Sequence, residues 1–206
     1  MAGLLDLLNS DLGKTLVNSA SEQLGQKTST TSSALNAALP LIIGAMKNNA
    51  ASPQGAQGLL GALSNSNHDG SILDNLGDFL GDSNATKDGA GILGHIFNGK
   101  EKNVAQAVST KSGMDLSAVM SLLQMAAPVI LGYLGRQTRQ NNVSDAGGIE
   151  SLLGSLLGGN AQQDQNLVSQ LLDADGDGSV VDDIIGMASG SKKGGLGGIL
   201  GGMFGK

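Results

Sequence analysis

The chain contains a long internal repeat, and this repeat limits the folds that are open to it. An offset of 88 residues, without a gap, places Gly25 on Gly113 and Pro40 on Pro128. The same offset aligns the segments ALPLIIGAM and AAPVILGYL. After an insertion in the second copy, HDGSILDNLGDFLG aligns with GDGSVVDDIIGMAS at an offset of 108. Self-similarity at this spacing predicts one supersecondary unit that is used twice.

The repeat defines the predicted domains. We place the first helical repeat at residues 3–90 and the second at residues 91–197. The tail at 198–206, GILGGMFGK, resembles GILGHIFNGK at 91–100 and is one residue shorter. The tail therefore predicts the opening of a third repeat that the chain does not complete.

Each repeat has the periodicity of helices. Apolar residues lie nearly all round the segment at 117–134, SAVMSLLQMAAPVILGYL, which predicts a buried central helix. Because Pro128 lies within this segment, we expect the helix to be kinked or broken near Ala127. No segment alternates as a strand does. We predict an all-α fold of two tandem helical-bundle repeats, each with about five short helices. Because aromatic residues make up only 2% of the chain, the core must be aliphatic.

An acidic stretch in the second repeat resembles a calcium loop of the EF-hand type. DADGDGSVVDDI begins at Asp173 and matches D-x-[DN]-x-[DN]-G, with Gly178 at the sharp turn. Position 12 is Ile184 rather than Glu, and Asp182 reads as part of a capping box. The alternative is a solvated turn that only caps the next helix. The predicted Ca²⁺ ligands are Asp173, Asp175, Asp177, the Ser179 carbonyl and Asp183.

The first repeat holds a less charged copy of this loop. Its sequence, NSNHDGSILDNL, has Asn where the second loop has Asp at positions 1, 3 and 11. Amide oxygens attract a cation less than carboxylates do. We therefore expect a weak or empty site here, formed by Asn65, Asn67, Asp69, Ser71 and Asn75.

The composition and the positions of the two histidines argue against several functions. A net charge of −6 argues against nucleic-acid binding, and the absence of Cys excludes disulfides. His68 occupies a non-ligand position of the first loop, and His95 lies on an apolar helix where the repeat needs no histidine. We expect structural roles for both and no enzymatic activity.

Two apolar segments raise the question of a membrane. The segment at 34–46 is too short to span a bilayer, and the segment at 118–135 carries Ser121, Gln124 and Pro128, so buried helices are favoured. Membrane contact stays an alternative that is not favoured. No signal peptide is recognised at the N-terminus, so the expected location is cytoplasmic by default, with non-classical export as the alternative.

The segment SEQLGQKTSTTSSALNAALPLIIGAM (21–46) and its copy at 110–134 resemble the uncharacterised bacterial family typified by YidB. The shared features are a helix that ends in L-G, a Thr/Ser-rich helix start and an L-P or A-P core helix. The resemblance implies a helical bacterial protein, and it transfers no catalytic residue.

The sequence therefore predicts a non-enzymatic structural or self-assembling helical repeat protein with a calcium loop. We expect a homo-oligomer or filament formed through the C-terminal tail. One alternative is a membrane-associated or membrane-active protein, and another is an enzyme with an unrecognised site.

Overall fold

The computed structural model describes residues 4–158 apart from 66, 67 and 69. Within those residues all regular secondary structure is helical, which confirms the predicted all-α class. These residues belong to one structural unit, Met1–Gln165. The helices are α1 (Leu4–Asn9), α2 (Asp11–Leu24), α3 (Thr28–Ala50), α4 (Pro53–Leu63), a 3₁₀ helix (Ser71–Asn75), α5 (Leu76–Gly81), α6 (Ser83–Phe97), α7 (Glu101–Ser112), α8 (Leu116–Gln140) and α9 (Ala146–Gly158).

The ends of several helices follow from local sequence. The Ser10 hydroxyl accepts a hydrogen bond from the Gly13 amide at 3.2 Å and caps the start of α2. Gly25 ends α2 with φ +61° and Gly113 ends α7 with φ +72°, a left-handed conformation that favours glycine. The two glycines that the repeat aligns therefore have the same role.

The two longest helices, α3 and α8, contain prolines and form much of the core. Pro40 lies inside α3 and Pro128 inside α8. The prediction of a buried helix is confirmed for α8, but a break near Ala127 is wrong, because α8 continues to Gln140. A proline removes one hydrogen bond of the helix, and the complete burial of Ala126 and Ala127 helps to offset that loss.

The core is aliphatic, as the composition predicted. Leu, Ile, Val, Ala and Met supply almost all of its side chains, and Phe97, at 7% exposure, is the one buried aromatic among the described residues. The largest side chains that are almost fully buried are Leu35, Leu39, Ile42, Ile43, Met46, Leu80, Leu93, Met114, Leu122, Leu123, Met125 and Ile130.

Helices from both predicted repeats pack together. Helix α3 packs against α7 and α9, and α8 packs against α6, α7 and α2. The predicted boundary between residues 90 and 91 falls within α6. The two predicted repeats therefore share one core over the described residues, while their assignment as domains stays a prediction.

One described helix, α8, is long and apolar enough to cross a membrane by length and composition. Its mean hydropathy reaches 1.6 over the most apolar window, and 72% of that window is buried within the protein. A buried core helix has the same properties, so this observation is weak support for a membrane span.

Candidate functional site

A groove of about 840 Å³ lies between the C-terminal half of α3, helix α4 and helix α6. Its apolar lining includes Leu59, Ile92 and Leu131, while Lys87 and Asp88 are among its polar residues. A concave apolar surface with a few polar groups is the usual form of a ligand or partner site. The groove is therefore a candidate site for a ligand or partner.

Glycines on the neighbouring helices make the groove wide. Gly58 on α4 and Gly91 on α6 line it, and at neither position would a Cβ come within 4 Å of a described atom beyond the glycine's neighbours and its own helix backbone. Gly55 has a different role, because a Cβ there would overlap the backbone carbonyl of Asn49. Gly55 thus allows α4 to start close against the end of α3.

A histidine–aspartate pair joins the first loop to α6 at the groove. His68 is only 9% exposed, and its Nε2 lies 2.9 Å from Oδ2 of Asp88. The other ring nitrogen, Nδ1, is buried and has no hydrogen-bond partner in the described part of the chain. If Nε2 carries the proton that is donated to Asp88, Nδ1 is left as an acceptor. The pair connects the loop to α6.

The second histidine lies on the rim of the same groove. His95 is exposed near the end of α6. The Asn49 side-chain amide donates to the backbone carbonyls of His95 and Ile96, at 3.3 and 2.9 Å. These bonds satisfy carbonyls in the last turn of α6 and fix the end of α3 beside it.

The first predicted loop site is described in part. Gly70, at the predicted sharp turn, has φ +95°, which is a left-handed conformation. Asn65 is exposed, and Ser71 and Asn75 are the first and last residues of the 3₁₀ helix. Asn67 and Asp69 lie outside the described residues. No cluster of three or more His, Asp or Glu side chains suited to a metal occurs among the residues that the structure places.

An arginine from α8 contacts this loop. Arg136 Nη2 donates to the Gly70 carbonyl oxygen at 2.8 Å and to Asp74 Oδ1 at 2.6 Å. Ile72 packs against Gly132, with its Cγ1 and Cδ1 atoms 3.0 Å from where a Cβ would stand. The loop thus rests on α8 through one charged contact and one apolar contact.

The calcium ligands predicted in the second loop, Asp173, Asp175, Asp177, Ser179 and Asp183, lie outside the described residues, and so does the tail at 198–206. Both stay predictions.

Comparison with protein families matches residues 6–137 to a family described as "Bacterial protein of unknown function (DUF937)". The chain belongs to the DUF937 family. This confirms the prediction of an uncharacterised bacterial family. The DUF937 match runs from α1 almost to the end of α8 and so includes the groove and the first loop. No curated protein and no solved structure matches the chain.

Sequence reasoning missed two long-range polar contacts among the described residues of this DUF937 protein. His68 and Asp88 are 20 residues apart, and Asp74 and Arg136 are 62 residues apart.

Proposed function

We propose that the protein is a non-enzymatic structural module that self-assembles head to tail through its C-terminal segment. The carrying observation is the packing of segment 91–97, which shares its pattern with the tail. In α6 this segment buries Leu93, Ile96 and Phe97, at 1%, 7% and 7% exposure. Ile92 is half-buried and lines the groove.

The tail carries the same apolar spacing. Leu200, Met203 and Phe204 stand where the earlier segment has Leu93, Ile96 and Phe97, and Ile199 stands at the position of Ile92. A segment of this pattern needs an apolar surface to cover its large side chains.

The proposed acceptor is the start of another molecule. There α1, a helix of only six residues, lies so close to α2 that a Cβ at Gly13 would overlap backbone atoms of Leu7 and Leu8. Leu7 and Leu8 are half-buried. A tail bound at this position would join copies by a heterologous contact, which generates rings or filaments.

Deletion of residues 194–206 tests the connector. We expect the full chain to sediment as an oligomer and the truncated chain as a monomer, because the acceptor surface then has no segment to bind. Analytical ultracentrifugation at several concentrations measures this. Equal masses for the two chains would contradict the proposal.

Two substitutions in the tail provide a matched comparison. Leu200→Asn changes the counterpart of buried Leu93 and should dissociate the oligomer. Gly202→Asn changes the counterpart of exposed His95 and should leave the mass unchanged.

We propose further that the second loop binds Ca²⁺ through Asp173, Asp175, Asp177, the Ser179 carbonyl and Asp183. The support is the ligand spacing and the concentration of negative charge. The left-handed conformation of Gly70 in the first loop supports a similar turn at its counterpart, Gly178.

Calorimetric titration of Asp175→Ala tests the calcium site. We expect binding to weaken steeply, because each lost carboxylate reduces the attraction for the cation. Calcium at ~100 times its dissociation constant should stabilise the wild-type fold by about 2.7 kcal/mol if it binds only the folded chain. Asp164→Ala, outside the loop, is the control. Unchanged binding in Asp175→Ala would rule out the assigned ligands.

A further inference from the structure

The turn between α6 and α7 contains the one Asn-Gly pair of the sequence, Asn98 and Gly99. Both residues are exposed, and both have positive φ, at +50° and +83°. Asn followed by Gly is the pair that left-handed turns of this kind favour. The Lys100 amide donates to the Phe97 carbonyl oxygen at 3.0 Å, and this hydrogen bond closes the turn around the pair.

The same pair carries the groups that are needed for loss of the side-chain amide. The deprotonated backbone nitrogen of Gly99 attacks Cγ of Asn98, the new N–Cγ bond forms, the Cγ–Nδ2 bond breaks, and ammonia leaves. Water then opens the cyclic imide at either carbonyl and gives an aspartate or an isoaspartate. Glycine has no side chain to obstruct the attack. No described atom accepts a hydrogen bond from the Gly99 amide, so the attacking nitrogen is not engaged elsewhere.

The structure holds the Asn98 side chain only weakly. Its Nδ2 donates to Asn49 Oδ1 at 3.5 Å, which is longer than a usual N–H···O hydrogen bond. For the attack, the Cα–C bond of Asn98 must rotate, and this rotation opens the turn by breaking the bond between Lys100 and Phe97. The folded structure should therefore slow the reaction only slightly.

We propose that Asn98 is a site of spontaneous deamidation, and that its product loosens the rim of the groove. Asn98 lines the groove beside Asn49, whose amide group holds the His95 and Ile96 carbonyls. A carboxylate at position 98 cannot donate to Asn49 Oδ1. It also places a negative charge directly after the C-terminus of α6, where the helix dipole makes such a charge unfavourable. The end of α6 should therefore separate more readily from the end of α3.

Peptide mapping of the full chain by mass spectrometry, after incubation at mildly alkaline pH, tests the modification. We expect Asn98 to convert to aspartate and isoaspartate at a rate that rises in proportion to hydroxide concentration. The rate should be no more than about tenfold below that of the chain unfolded in guanidinium, because opening the turn breaks one hydrogen bond. Asn36 is the internal control, since it is exposed within α3 and the next residue, Ala37, also lies in the helix. Asn36 should stay unmodified in the folded chain.

Three variants separate the reaction from its consequence. Asn98→Gln keeps an amide but needs a larger ring for the attack, so conversion at this position should disappear. In Asn98→Asp, hydrogen exchange of the His95–Phe97 amides should be about two- to fivefold faster than in the wild type, the range that an unfavourable charge at a helix end produces. Asn36→Asp adds the same charge far along α3 and should leave this exchange unchanged. Conversion of Asn98 only in the unfolded chain, or unchanged exchange in Asn98→Asp, would overturn the proposal.

Discussion

Replacement of Gly89 by alanine is expected to destabilise the protein by about 3 kcal/mol or more, the upper part of the range for overpacked sites. Gly89 lies in α6 and is buried against α8. A Cβ at this position would overlap the backbone carbonyl of Gln124. Because backbone atoms cannot rotate away as a side chain can, α6 and α8 would have to separate. Urea unfolding followed by circular dichroism measures the loss.

Gly91→Ala is the control on the same helix. A Cβ there would have no described atom within 4 Å beyond its neighbours and its own helix backbone, so the higher helix propensity of alanine should decide the effect. We expect a gain of about 0.5–1 kcal/mol. Equal changes in the free energy of unfolding for the two substitutions would show that α6 and α8 are not in close contact at Gly89.

A second large loss of stability is expected for Leu123→Ala. Leu123 lies in α8 and is completely buried, so its truncation should cost about 2–5 kcal/mol through lost burial and the cavity that remains. Because α3 and α8 contribute to one core, we expect a single unfolding transition in which both helices lose protection together. Hydrogen exchange of α3 and α8 measures this directly.

Leu59→Ala provides the comparison for this cavity. Leu59 is half-buried at the groove and should lose less stability than Leu123. If Leu123→Ala released only α7, α8 and α9 and left α3 protected, the two predicted repeats would be independent folding units and not halves of one core.

The helices and the aliphatic core could be predicted because both depend on local pattern. The apolar residues at 118–134 predicted a buried helix where α8 lies. The aligned glycines, Gly25 and Gly113, both end helices in the left-handed conformation. The break considered at Pro128 does not occur, since the packing that supports a helix around a proline comes from distant residues.

The candidate site could not be predicted in the same way. The groove is formed by helices that are far apart in the chain, and its width depends on glycines such as Gly58 and Gly91 that have no pattern of their own. Arg136 reaches Asp74 only because α8 passes under the first loop. Such contacts follow from how the helices pack, which short-range periodicity does not determine.

The packing of α3 against α9 has a consequence during synthesis. Helix α3 ends at Ala50 and α9 begins at Ala146, so about a hundred residues must be translated before α3 meets this neighbour. At about 5–20 residues per second, this takes on the order of 5–20 s. Throughout that interval the part of α3 that packs against α9 stays exposed. The nascent chain is therefore expected to bind chaperones that recognise exposed aliphatic helices, until α9 has left the ribosome.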